Sequence, residues 1–155
     1  HDIARSSRTY GLQGYFVVIP IEAQHPVVQK IIDHWSTGAG IKRFPERIEA
    51  IGLVRMARTV DDAIAAIEAE EGRPPRLVAT SAKGGSDRLS YAAELEAQAN
   101  DPRPTLLLFG TGHGLSPTVL NRCDAILAPI EGPTPYNHLS VRAAVAITLD
   151  RLFGR

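Results

Sequence analysis

"TLLLFGTGHGLSPTVLNRCDAILAPIEGPTPYNHLSVRAAVAI", residues 105–147, holds two short apolar runs, each followed by a small, polar loop and then a helical pattern. The runs TLLLFG (105–110) and AILAPI (125–130) are nearly uninterrupted in apolar side chains, as strands covered on both faces are. Ser116 is predicted to cap the helix SPTVLNRC (116–123), with Pro117 at its first position. The last helix, LSVRAAVAITLDRLF, sets Val141, Val145, Leu149 and Leu152 near one face, which is a core pattern. Its small residues Ala143, Ala144 and Ala146 suit close packing, including packing against a partner subunit.

The same alternation extends towards the amino terminus. GYFVVIPI (14–21), IGLVRMA (51–57) and RLVAT (76–80) are predicted strands. HPVVQKIIDHWS (25–36), TVDDAIAAIEAEEG (59–72) and SDRLSYAAELEAQA (86–99) are predicted helices. Thr59 with Asp61 and Asp62 marks a helix start, Gly72 a helix stop, and Ser86 is a predicted N-cap. Strand alternating with helix predicts an α/β fold, a parallel sheet flanked by helices, in one domain spanning 1–155.

With 44% hydrophobic and 22% charged residues, the 155-residue chain has the composition of a globular domain. Its 17 basic and 17 acidic side chains cancel, so RNA binding would depend on a local patch. No apolar run approaches the ~20 residues that cross a bilayer, and the expected compartment is the cytoplasm. Cys123 has no disulfide partner, and histidines 1, 25, 34, 113 and 138 lack metal-ligand spacing; no metal is expected.

In parallel sheets, ligands bind beyond the carboxyl ends of the strands. Three small, polar loops follow strands here: TSAKGGS after 76–80, GTGHGLS after 105–110, and EGPTPYNH after 125–130. They are expected to form one site from residues 79–82, 109–114 and 128–140. GTGHGLS is neither a phosphate-binding loop ending in Gly-Lys-Ser/Thr nor the spaced dinucleotide fingerprint. An ordinary strand-to-helix turn also accounts for its glycines. Asn137 and His138 read equally as helix caps. Pro129, Pro133 and Pro135, however, stiffen the approach and leave the remaining N–H groups free to be aimed at a ligand.

Residues 105–147 resemble the carboxy-terminal signature of the SPOUT RNA methyltransferases. In the SpoU branch this runs apolar strand, Gly-x-Glu-x-x-Gly-Leu, helix, Asp, short strand, Pro-Met-x-Gly, then Asn-x-Ser-Val-Ala-x-Ala. DIARSSRTYGLQGYFVV (2–18) is similar to that branch's first motif, an Arg-bearing helix, a Gly and a strand, with Arg5 at the motif arginine and Arg8 its neighbour. The resemblance extends to a small bacterial group sometimes fused to tRNA guanine-N1 methyltransferase. Two positions depart from it: Thr111 stands where the glutamate would be, and His138 where the Asn before Ser-Val would be.

The resemblance implies a carboxy-terminal trefoil knot, S-adenosylmethionine held in the knot loops, a homodimer, and tRNA or rRNA as substrate. It implies methylation of a ribose 2′-oxygen or a base nitrogen, or a non-catalytic cofactor- or RNA-binding dimerisation module. The expected cofactor contacts are Thr80, Phe109, Gly110, Thr111, Gly112, Gly114, Pro129, Ile130, Tyr136, Leu139 and Ser140. The expected catalytic residues are Arg5, Asn137 and His138. The family's first strand precedes the Arg-bearing helix, so an upstream segment is expected before His1.

Overall fold

A computed structural model describes residues 1–37 and 44–155. It divides into two compact units, His1–Ala65 and Ala66–Arg155. The expected parallel pairing is present but is distributed over two sheets, a two-stranded one and a four-stranded one.

In the first unit, α1 (Asp2–Thr9) ends in a tight turn where Leu12 N–H donates to Ser7 O at 2.9 Å. Gly11 there has φ +73°, a conformation that disfavours any Cβ. β1 (Tyr15–Val18) pairs in parallel with β2 (Val54–Ala57). α2 (His25–Ser36) spans the predicted residues, and Pro26 starts it. α3 (Pro45–Ile51) was not expected; it takes the first residue of the predicted strand 51–57, so that strand begins at Val54. Pro45 and Glu46 in its first turn are ordinary start signals. Ala4, Ala50 and Ile51 form the buried centre, with Tyr15, Ile32, Trp35 and Val54 packed against it.

The end of α4 (Val60–Glu71) opens the second unit. Its start is a reciprocal cap, Asp62 N–H to Thr59 Oγ1 at 3.1 Å and Thr59 N–H to Asp62 Oδ2 at 3.3 Å. Gly72 follows it at φ +77°, as its stop signal required. β3 (Arg76–Ala79) is buried along its length, between β5 (Thr105–Leu108) and β6 (Ala125–Leu127). β4 (Arg88–Leu89) lies on the far side of β6, and all pairs are parallel.

β4 corrects the predicted helix 86–99. Arg88 and Leu89 pair with Ile126 and Leu127, and Ala128 N–H donates to Leu89 O at 2.8 Å. Pairing draws these residues into the sheet, so α5 (Tyr91–Asn100) starts later. Its cap is Ser90, which accepts from Ala93 N–H at 3.1 Å, not Ser86. Ser116 caps α6 (Pro117–Arg122) as expected. α7 (Val141–Phe153) buries Val145, Leu149 and Leu152 as expected, together with Thr148; Val141 is half-buried. Leu152, Val78 and Leu127 form the core.

Charged groups gather at the amino ends of these strands. Arg76 Nη2 meets Glu94 Oε2 at 2.7 Å, with Glu94 fully buried. Arg103 Nη2 lies 2.8 Å from Asp101 Oδ2 and 3.4 Å from Asp124 Oδ1. Asp124 also bonds β3 twice, its Oδ2 accepting Leu77 N–H and its N–H donating to Leu77 O, both at 2.8 Å. This cluster fixes where β6 enters the sheet.

Arg103, through its side chain and then its backbone N–H, holds the Asp101 carboxyl at about 2, below the ordinary 3.8. Between these values the unfolded chain takes up a proton that the native chain refuses. Stability from this contact is therefore full above about pH 4 and is lost as pH falls towards 2. Urea midpoints measured from pH 5 to pH 2 are expected to fall less steeply for Asp101→Asn than for the wild type.

Candidate cofactor site

The predicted strands 105–110 and 125–130 end at Leu108 and Leu127, and the residues left over become loops. Loops 80–87, 109–116 and 128–140 thus all leave the carboxyl end of the four-stranded sheet. The structure brings Thr80, Phe109, Gly110, Thr111, Gly112, Gly114, Pro129, Ile130, Tyr136, Asn137, His138, Leu139 and Ser140 to this one edge.

Each loop is shaped by local chemistry. Thr80 donates through both its N–H (3.0 Å) and its Oγ1 (2.9 Å) to Leu108 O, closing the β3–β5 edge. Between Phe109 and Leu115 the chain folds on itself, with Gly114 N–H donating to Thr111 O at 3.0 Å. Gly112 and Gly114 have φ of +55° and +86°. Gly110 packs directly on the backbone of Gly114 and Leu115. Gly110 therefore shapes the loop itself, whereas a Cβ on Gly112 would meet nothing.

The 128–140 loop is organised differently. Among the described residues, no backbone N–H from Ile130 to Leu139 finds an acceptor in the chain. Residues 128–130 are half-buried and 131–136 exposed, so these N–H groups face solvent or whatever occupies the edge. One side chain anchors the loop: Asn137 Nδ2 donates to Ala82 O at 2.9 Å. Tyr136 and Leu139 are exposed, and the Tyr136 ring stands edge-on to His138 at 5.2 Å. His138 makes no hydrogen bond within the described residues. Ser140 caps α7 by accepting from Ala143 N–H at 3.3 Å, so neither Asn137 nor His138 is the cap.

Arg5 belongs to the first unit. It is exposed on α1 and, among the described residues, has no partner, whereas Arg8 is paired with Glu49 at 2.9 Å. Of the two arginines, Arg5 is the one free to act. Sequence reasoning missed the role of Ala82, whose carbonyl the Asn137 amide uses; nothing in residue type marks a backbone acceptor.

The family model described as "SAM-dependent RNA methyltransferase" matches residues 1–154. A tRNA (guanine-N(1)-)-methyltransferase of Oleidesulfovibrio alaskensis is 47% identical over 99% of this chain and 36% of its own length. An uncharacterized protein of Aquifex aeolicus is 48% identical over all of this chain and 76% of its own. The chain thus spans about a third of the tRNA methyltransferases it matches. Among solved structures, an AdoMet-bound rRNA methyltransferase from Sinorhizobium meliloti superposes with a TM-score of 0.61, at 16% identity over 97% of this chain and 49% of that one. The TrmH/SpoU tRNA modifying enzyme of A. aeolicus superposes with a TM-score of 0.59, at 16% identity over 97% and 65%. The structural likenesses bear out the SpoU-like fold, and the full-length family match carries the assignment: the chain belongs to the SAM-dependent RNA methyltransferases.

Proposed function

We propose that the loops 80–87, 109–116 and 128–140 hold S-adenosylmethionine and that the chain transfers its methyl group to tRNA or rRNA in the cytoplasm. The observation that carries this reading is that all three loops leave one carboxyl edge of the parallel sheet, the 128–140 loop doing so between β3 and β4. The residues fit such a ligand. An adenine edge asks for backbone donors and acceptors at close range, and Pro129, Ile130, Tyr136 and Leu139 supply apolar surface beside them. Gly112 and Gly114, at φ of +55° and +86°, give the 109–115 loop its turn.

A carboxy-terminal trefoil knot is part of the proposal, and the strand order supports it. β3 and β4 flank β6, so the connection 80–87 must pass over the place that β6 fills. The Asn137 amide then ties the later loop to that arch. A homodimer is supported by Tyr136 and Leu139, exposed apolar groups beside α7 that a partner's surface would cover. A stable monomer by sedimentation at micromolar concentration would remove that part of the reading.

When bound, the cofactor supplies a methyl carbon made electrophilic by its sulfonium. What the chain must add is placement of the acceptor at about 3–3.5 Å and removal of its proton. His138, exposed and without a hydrogen-bond partner among the described residues, is assigned to take that proton from a ribose hydroxyl. Arg5, the arginine of the first motif, is assigned to hold a phosphate of the RNA. A base nitrogen as acceptor would need less of His138. Thr111, standing where the SpoU-branch signature has glutamate, favours a second reading in which the domain binds cofactor and RNA without catalysis.

Labelled S-adenosylmethionine incubated with bacterial tRNA and rRNA, followed by nucleoside analysis, separates the readings. The expected result is label in one RNA, with His138→Ala and Arg5→Ala each lowering transfer by about 10²-fold at unchanged cofactor affinity. Cofactor binding without label in either RNA would leave the binding module as the function.

A further inference from the structure

We propose that Lys83 is a phosphate contact for the RNA substrate, presented by a turn that Asn137 ties to the 128–140 loop. The inference rests on the RNA-methylating reading above. Side chains pin the backbone of residues 81–83 at three points. Lys83 N–H donates to Ser81 Oγ at 3.0 Å, Asn137 Nδ2 to Ala82 O at 2.9 Å, and Arg88 Nε to Lys83 O at 3.1 Å. Arg88 is itself held by Asp87 Oδ1 at 2.6 Å. The turn is closed by Arg88 N–H donating to Gly85 O at 3.4 Å.

Everything charged in this turn is therefore spent on its shape except the Lys83 ammonium, which is exposed and has no acceptor among the described residues. On the three loops, Lys83 and Glu131 are the charged side chains without an ion-pair partner among the described residues, and of the two only Lys83 attracts phosphate. A lysine on a preset backbone loses less freedom on binding than one on an unpinned loop, so more of its attraction appears as affinity. Asn137 is a positioning residue here: it sets the distance between the turn and the loop assigned to the cofactor.

The cofactor's carboxylate is also an anion, so the test measures both ligands. Bulk tRNA binding is followed by anisotropy from about 50 to 200 mM salt, and S-adenosylmethionine binding by calorimetry. Lys83→Ala is expected to weaken tRNA binding several-fold and to lower the salt slope by about one, with cofactor affinity unchanged. Lys83→Arg should restore the slope. Asn137→Ala should weaken tRNA binding while keeping the slope, because the ammonium is still present. An unchanged tRNA slope in Lys83→Ala overturns the proposal, and so does a loss of cofactor affinity in its place. A wild-type chain that binds S-adenosylmethionine but neither tRNA nor rRNA overturns the RNA-methylating reading along with it.

Discussion

Gly110→Val is expected to abolish S-adenosylmethionine binding while the sheet stays intact. A Cβ at residue 110 would fall 2.5 Å from Leu115 N and against the Gly114 carbonyl carbon. Both are backbone atoms, so no rotamer change relieves the contact. The loop must open, breaking the turn in which Gly114 N–H donates to Thr111 O. Distortion of this kind costs about 3 kcal/mol or more, which if drawn from binding is upward of roughly 100-fold in affinity. Residue 110 lies beyond Leu108, the last residue of the β3–β5 ladder, so the core has no reason to follow. Gly112→Ala is the internal comparison: at φ +55° with open space around it, it carries backbone strain of only about 1–2 kcal/mol. Calorimetry with far-UV circular dichroism on both variants checks the contrast. Full cofactor affinity in Gly110→Val would mean that the 109–115 turn is no part of the site.

That contrast marks how far the sequence could be read. The alternation of apolar runs and helices was legible because buried parallel strands and amphipathic helices leave different periods. For that reason α2 and β3 appear close to where they were expected. Gly110 and Gly112 look alike in sequence, and only the closed turn shows that one is packed against backbone and the other is open. The start of α5 was misread because Arg88 and Leu89 resemble a first helical turn until Ile126 and Leu127, almost forty residues on, arrive to pair with them. α3 is a different kind of miss, since Pro45 and Glu46 carried its start signal in plain view. In the candidate site, residue types pointed to three loops that the structure gathers at one sheet edge. They did not separate roles: Ser140 is a cap and Asn137 a tether, while His138 keeps its ring free.

Glu94→Ala is expected to cost about 3–5 kcal/mol of stability, a large share of what a domain of this size possesses. Glu94 is fully buried and its carboxylate is satisfied on both oxygens. Oε2 accepts from Arg76 Nη2 at 2.7 Å, and Oε1 from Gln98 Nε2 at 2.9 Å and Arg76 Nε at 3.4 Å. Removing the carboxylate strands the Arg76 guanidinium at the first position of the central strand, with 9% of its surface exposed. The hydrogen bond to Glu94 is the main reason that the Arg76 pKa is raised; the variant loses that support, and because a guanidinium is not deprotonated in proteins the charge stays, buried and uncompensated. Arg76→Met combined with Glu94→Leu removes both charges and should recover most of the stability, because an apolar pair of similar volume meets no desolvation penalty there. Urea unfolding of the three proteins tests this, and a Glu94→Ala midpoint close to wild type would show that water reaches Arg76. Arg76 starts the strand that Asp124 grips when β6 enters the sheet, and β6 delivers the 128–140 loop to the opposite edge. Loss of this pair should therefore loosen the cofactor edge before the whole unit unfolds, and weakened S-adenosylmethionine binding at denaturant concentrations below the unfolding transition would be its signature.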